Sequence, residues 1–343
     1  MKIIKAHVRR DALPLAVPFV TALRRVEHAE FIILELRTDT GLRAFGSAPA
    51  TQAITGETLE SIETALRTNI LPLLHDQPFE LDSMLRVVTG AVKGNCSAKA
   101  AADMALFDLA AQSAALPLYR FLGGGDPLPV RTAVTVSLDA PERMAAKARE
   151  YFTSGFDILK IKVGSSDGKD AERVKGISAA VPEAALLVDA NQAWTVAQTL
   201  GFIDECAGAD IELIEQPVAA RDLEGLREIT ERSPYPILAD EAVFDAVDAR
   251  RVLDSGAADL VNIKLMKCGG IAGALQIIDV CRAYGRQCML GSMLEGPVSI
   301  TAALHLAAAR TEIFAWIDLD SPLLYRTLPA DLPFTIEANR YVL

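Results

Sequence analysis

Five charged side chains recur at the ends of short apolar segments in the second half of the chain. Lys162 closes ILKIK, Asp189 closes ALLVD, Glu215 closes IELIE, Asp240 closes PILAD and Lys264 closes DLVNIK. Three carboxylates supply hard oxygen donors, the set Mg²⁺ takes in octahedral coordination while keeping room for water and substrate. Zinc is disfavoured: the only histidines are His7, His28, His75 and His305, none near these segment ends, and no H-E-x-x-H occurs. A lysine beside such an ion can move a proton if its amine is partly neutral near pH 7. In K-I-K, Lys160 projects to the same side of a strand as Lys162 and opposes its protonation by like-charge repulsion. Acids and lysines together suit removal of a proton next to a carboxylate, where the intermediate accumulates negative charge that a divalent cation offsets. Lys267 lies near this set but off its segment's end, and reads as supporting or exposed.

The elements that would hold these groups repeat. Candidate strands RTAVTV, ILKIK, ALLVD, IELIE, PILAD, DLVNIK, QCMLG and IFAWID end near Val136, Lys162, Asp189, Glu215, Asp240, Lys264, Gly291 and Asp318, at intervals of 24 to 27 residues. Each interval accommodates a strand, a helix and two short loops. Eight such strands with right-handed crossovers predict a closed parallel barrel whose site lies at the C-terminal strand ends. The fold class expected is α/β, a TIM-type (β/α)8-like (β/α)7β barrel with an N-terminal α+β capping domain. Lysines on the second and sixth strands would face each other across the mouth. One could remove a proton from one face of a carbon while the other delivers one to the opposite face, which is racemisation or epimerisation. Asp318 and Asp320 fall on one face at the end of strand eight and suit a cationic ammonium group. Thr135 on strand one is a further pocket candidate.

Residues 1–125 read differently. Strands are predicted over Met1–Val8, Phe31–Leu36 and Gly41–Ser47, then helices over Leu59–Leu74 and Ala98–Ala115, an α+β unit. Gly123-Gly124-Gly125-Asp126-Pro127 marks the boundary. The barrel is expected over 126–320, and the segment 321–343 is expected to pack back on the capping domain.

Composition narrows the class. With 51% hydrophobic and 23% charged residues and a net charge of −11, the chain reads as a globular protein with no basic surface for nucleic acid or acidic membranes. MKIIKAHVRR lacks the apolar core of a signal peptide, and no run of about 18 uncharged apolar residues occurs. Cys96, Cys206, Cys268, Cys281 and Cys288 contain no C-x-x-C and fit free thiols in a reducing compartment. A cytoplasmic protein acting on a small molecule is expected, and a homo-oligomer is compatible with the sequence.

The chain resembles the enolase superfamily, muconate-lactonising subgroup, and within it the dipeptide epimerases. The resemblance covers nearly the whole length. It is carried by LKIKVG (159–164), VDANQAW (188–194), IEQP (214–217), ADE (239–241), NIKLMKCGG (262–270), GSMLE (291–295) and DLD (318–320) in the barrel. PFVTALR (18–24), ITGET (54–58) and SAKAAADMALFDL (97–109) carry it in the first domain. The resemblance implies one Mg²⁺ held by Asp189, Glu215 and Asp240, with Lys162 and Lys264 as the acid/base pair. It gives Lys160 a tuning role at Lys162 and at the substrate carboxylate. It also implies that Asp318 and Asp320 hold a dipeptide's α-ammonium group, and that an arginine in PFVTALR pairs with a glutamate side chain. Arg24 matches the family position, and the adjacent Arg25 is the alternative. Ser292, Glu295 and Thr135 are expected to line the pocket. The activity implied is a dipeptide epimerase working through an enolate, with L-Ala-D/L-Glu preferred, as cell-wall peptide recycling would use. A muconate-type cycloisomerase, an o-succinylbenzoate-type lyase, and an epimerase for hydrophobic or cationic dipeptides are the alternatives.

Overall fold

Alternation of period two along eight short strands organises the molecule. The computed structural model describes residues 1–343. The barrel strands are β5 (Val134–Val136), β6 (Ile158–Lys162), β7 (Ala185–Asp189), β8 (Ile211–Glu215), β9 (Ile237–Ala239), β10 (Leu260–Lys264), β11 (Cys288–Gly291) and β12 (Phe314–Asp318). They pair in chain order, and every pair is parallel. The barrel closes where the Ala133 N–H donates to the Ile317 carbonyl at 2.8 Å and the Leu319 N–H donates to Thr132 Oγ1 at 2.9 Å. Helices fill the intervals between strands, from Pro141–Thr153 to Pro297–Ala309. The expected (β/α)7β barrel is what forms, and its strand ends match the predicted ones to within a residue.

Inside the barrel, Ala133, Ile158, Leu187, Leu213, Leu238 and Met289 form an apolar plug of their own. Two residues further along the same strands stand Thr135, Lys160, Asp189, Glu215, Asp240 and Gly291. Side chains two apart share a face, so these positions also point inward, directly above the plug. The charged layer is thus a consequence of strand register over a plug that already excludes water from below.

The capping domain is an antiparallel sheet of β1 (Ile3–Val20), β2 (Arg25–Thr38) and β3 (Arg43–Pro49), backed by helices. The first two strands are far longer than predicted. The β2 extension, residues 25–30, is polar, whereas the β1 extension, residues 9–20, is largely apolar but interrupted by Pro14 and Pro18, which read against a strand. Residues 59–74 form one continuous helical run, and a further helix, Leu81–Gly90, was not foreseen. The helix Cys96–Ser113 presses its alanines onto β3. A Cβ at Gly46 would overlap the Ala101 carbonyl oxygen, which is why the strand carries glycine there.

The C-terminal segment behaves differently from expectation. Tyr325 bridges to Leu15 and the Arg326 N–H donates to the Pro14 carbonyl at 2.8 Å, so its start does touch β1. Its hairpin, β13 (Thr335–Glu337) and β14 (Arg340–Val342), instead pairs with β4 (Val130–Arg131) at the entrance to the barrel. There it satisfies backbone groups of β4 and buries Tyr341, whose hydroxyl donates to the Leu319 carbonyl at 2.8 Å. All five cysteines are free thiols.

Candidate active site

The strand ends gather ten ionisable side chains, each at least nine-tenths buried: Lys160, Lys162, Lys264 and Lys267 among Asp189, Glu215, Asp240, Glu241, Asp318 and Asp320. Lys160 Nζ is 2.7 Å from Asp318 Oδ2, 2.7 Å from Glu215 Oε2 and 3.1 Å from Asp189 Oδ2. Lys162 Nζ meets Asp189 Oδ2 at 2.6 Å and lies 5.9 Å from the centre of the Phe19 ring. On the far side, Lys264 Nζ meets Asp240 Oδ2 at 2.7 Å, while Lys267 Nζ holds Asp240 Oδ1 at 2.6 Å and the Asn262 carbonyl at 3.0 Å. Lys162 on β6 and Lys264 on β10 are four strands apart in a closed ring of eight, so they approach from opposite sides, and both line one narrow cavity of about 50 Å³.

Neutral amides fix the acids. Asn262, two residues before Lys264 on the inward face, donates its Nδ2 to Glu215 Oε1 at 2.8 Å. Asn191 donates its backbone N–H to Asp189 Oδ1 at 2.9 Å and its Nδ2 to Glu241 Oε1 at 3.2 Å. Gln216 Oε1 accepts from the backbone N–H groups of Asp240 and Ala242 at 2.9 and 3.1 Å. Asn191, Gln192 and Gln216 all adopt positive φ just beyond strand ends. Such left-handed conformations in non-glycine residues concentrate where surrounding structure enforces them, as here around the carboxylates.

The electrostatics follow from burial and from the excess of acids. Burial alone would lower the Lys160 ammonium, but Asp318, Glu215 and Asp189 outweigh it and hold it well above the usual lysine range. Lys264 is raised in the same way, burial being overcome chiefly by Asp240. Asp240 is held below the ordinary carboxylate range, since Lys264 and Lys267 overcome its burial. Glu215 and Glu241 are raised, first by burial and then by neighbouring aspartates. Six acids against four ammonium groups leave a surplus of negative charge, which raises the proton affinity of the last two.

The remaining predicted residues separate. Thr135, Ser292, Asp318 and Asp320 line the cavity, and so does Arg24 at the tip of the β1–β2 hairpin. Asp320 Oδ2 accepts the Thr135 N–H at 2.8 Å, while Asp318 Oδ1 is buried with no partner. Arg24 is half-buried and makes no ion pair, whereas the exposed Arg25 lies 3.5 Å from Glu27. Glu295 does not line the cavity. It lies beneath the strand-seven loop, accepting the Met293 N–H at 2.8 Å, and burial pushes its carboxyl up to about 7. Lys267 is fully buried rather than exposed. Asn191, Asn262, Gln216, Phe19 and Ile54 all lie within the motifs that carry the resemblance, but no site role was expected of them; Asn262 also shares the even spacing of the inward face with Lys264.

Two family profiles match the chain: "Mandelate racemase / muconate lactonizing enzyme, N-terminal domain" over residues 3–123 and "Enolase C-terminal domain-like" over residues 143–342. It is 42% identical to the L-amino acid-D/L-Glu epimerase of Sulfurimonas denitrificans, over 98% of each chain. The substrate-liganded structure of the L-Ala-D/L-Glu epimerase from Bacillus subtilis superposes with a TM-score of 0.97 at 42% identity, covering 100% of this chain and 96% of that one. The Enterococcus faecalis dipeptide epimerase, complexed with Mg and the dipeptide L-Leu-L-Tyr, gives a TM-score of 0.95 at 41% identity, covering 100% and 97%.

Proposed function

Because the chain belongs to the enolase superfamily, in its mandelate racemase/muconate lactonizing branch, we propose that it is a Mg²⁺-dependent dipeptide epimerase. It is an isomerase that inverts the α-carbon of the C-terminal residue of a dipeptide, with L-Ala-D/L-Glu the preferred substrate. The observation that carries this reading is the pair of buried lysines, Lys162 and Lys264, reaching one cavity from opposite strands beside the Asp318/Asp320 pair.

The residues fit a divalent cation. Asp189, Glu215 and Asp240 end three adjacent strands, are all-oxygen donors, and belong to a cluster with two more acids than ammonium groups. As arranged, ammonium groups stand between these carboxylates and no three converge as a finished cage. Asp189, Glu215 and Asp240 would hold the ion once the lysines turn from them toward substrate. The ion would offset charge on the substrate carboxylate and relieve the carboxylates' hold on the lysine protons.

The chain's own groups do the rest. Asp318 and Asp320 receive the α-ammonium group, and the unpartnered Asp318 Oδ1 supplies an acceptor. Arg24, unpaired at the hairpin tip, binds the glutamate side chain. With the dipeptide so oriented, Lys162 Nζ and Lys264 Nζ face opposite sides of the α-carbon. The lysine present as a neutral amine takes the α-proton and becomes an ammonium group, the substrate passes through its planar enolate, and the other lysine, starting as an ammonium group, delivers its proton to the opposite face and is left neutral. Lys160 stays protonated among three acids and binds the substrate carboxylate. No helix is long and apolar enough to cross a membrane. The enzyme works in the cytoplasm on free dipeptides, as a single chain or a homo-oligomer.

Incubation with L-Ala-L-Glu in D₂O is expected to place deuterium at the glutamyl α-carbon and to generate the D epimer, with both lost on chelation of divalent ions. Lys162→Ala and Lys264→Ala should each abolish epimerisation, while each retains proton exchange from a different epimer. Turnover of a lactone or succinylbenzoate precursor without exchange in any dipeptide would overturn the reading, as would full activity in both variants.

A further inference from the structure

Asp103 is a buried acid that the reaction scheme does not use and that sits on the capping domain, in the helix Cys96–Ser113. It is only 2% exposed and has no cationic partner. Its carboxylate crosses the domain boundary, accepting the Ile271 N–H on Oδ1 at 2.5 Å and the Ala272 N–H on Oδ2 at 3.3 Å. Those are the first two residues of the barrel helix Ile271–Ala283, whose first N–H groups have no acceptor within the helix and take the Asp103 oxygens instead.

The segment between this helix and β10 is short and moulded around the contact. Lys264 ends β10, the turn Leu265–Cys268 follows, and Gly269-Gly270 leads into the helix. The Gly270 N–H donates to the Leu265 carbonyl at 2.9 Å. Gly270 has φ +117°, and a Cβ on it would overlap the Asp103 carboxylate. A Cβ on Gly273 would overlap the Cys268 carbonyl. Asp103, the helix start and the lysine-bearing turn are therefore packed with no slack. The turn after Lys162 is anchored differently, from within the barrel: Asp170 accepts the Gly164 and Ser165 N–H groups at 2.9 and 3.3 Å.

We propose that Asp103 is a positioning residue for one half of the reaction, holding the start of the Ile271–Ala283 helix and through it the turn that aims Lys264. This rests on the two-base reading above. A displacement of about 1 Å at a reacting group can cost two orders of magnitude, so loosening the anchor should register in rate. Loss of Asp103 therefore impairs the Lys264 side selectively, whereas general destabilisation would impair both sides alike.

The test compares α-proton exchange in D₂O from L-Ala-L-Glu and L-Ala-D-Glu for the intact protein, Asp103→Ala and Asp103→Asn, at saturating Mg²⁺. Lys162→Ala and Lys264→Ala serve as references for which epimer each lysine serves. Asp103→Ala should lower kcat for the Lys264-dependent epimer by about tenfold or more, with KM little changed and the other epimer within about twofold. Asp103→Asn, which keeps one acceptor for the Ile271 N–H, should recover most of the loss. The retained exchange shows that the variant is folded. Parallel loss from both epimers overturns the proposal, and so does no loss from either. If the two lysine variants fail to separate the epimers, the two-base reading falls and this one with it.

Discussion

At the scale of single residues, Lys162, Asp189, Glu215, Asp240 and Lys264 stand at the ends of apolar strands, and strand ends in a parallel barrel meet at one mouth. What escaped was the neutral scaffolding. Asn191, Asn262 and Gln216 hold the carboxylates in place, but an amide near a strand end is common and carries no charge pattern to notice. Glu295 misled for the opposite reason: an acid in a loop beside the site looks like a contact until the fold turns it under, onto the Met293 N–H. Arg24 shows what the structure adds to such a choice. Of two adjacent arginines, Arg25 is exposed beside Glu27, while Arg24 lines the cavity unpaired, and burial lowers its guanidinium from the usual value. Arg24→Met should therefore raise KM for L-Ala-L-Glu by about tenfold to a hundredfold, the range a charge-assisted contact of about 1.5–3 kcal/mol supplies. Dipeptides with a neutral C-terminal residue should change little, and steady-state kinetics on the two classes checks this. An equal effect on both classes would remove Arg24 from side-chain recognition.

At the scale of elements, the barrel was readable because its strands recur at near-constant intervals, while the capping domain has no period. The outer half of β1 is interrupted by Pro14 and Pro18 and that of β2 is polar, so neither shows the alternation that announces a strand. Yet their hairpin tip supplies Phe19 and Arg24 to the site, which makes this sheet's footing a functional matter. That footing is the contact between β3 and the helix Cys96–Ser113 at Gly46. The helix backbone approaches so closely that a single added methyl meets the Ala101 carbonyl rather than a side chain able to move aside. Gly46→Ala should then cost roughly 2–3 kcal/mol, typical of overpacking against a rigid wall. A thermal melt should show the loss as a fall of several degrees. An unchanged melting temperature would mean that the helix can shift away without penalty.

At the scale of the whole molecule, several buried acids without cations set a pH dependence that sequence could not reveal, because it arises from burial. Asp103 is pushed up to about 8 and Glu295 to about 7, in each case chiefly by desolvation. Their unfolded values lie near 3.8 and 4.5. Between roughly pH 4 and pH 8 the folded chain therefore holds more protons than the unfolded one, and stability falls as pH rises through that window. The stabilisation is complete below about pH 4 and gone above about pH 8, on the order of a few kcal/mol for each group. Glu215 and Glu241 are raised as well, and they lie among the carboxylates proposed to hold the cation, so on that proposal deprotonation there should strengthen metal binding. In chelator, the melting temperature should drop by several degrees from pH 5 to pH 9, and Asp103→Asn or Glu295→Gln should each flatten part of that slope. Saturating Mg²⁺ should raise the melting temperature more at pH 9 than at pH 5, since ligand stabilisation grows with occupancy of the folded state. A flat profile in chelator would mean these carboxyls find solvent or a partner in solution. An equal Mg²⁺ shift at both pH values would mean that protons and cation do not compete for the acids at the barrel mouth.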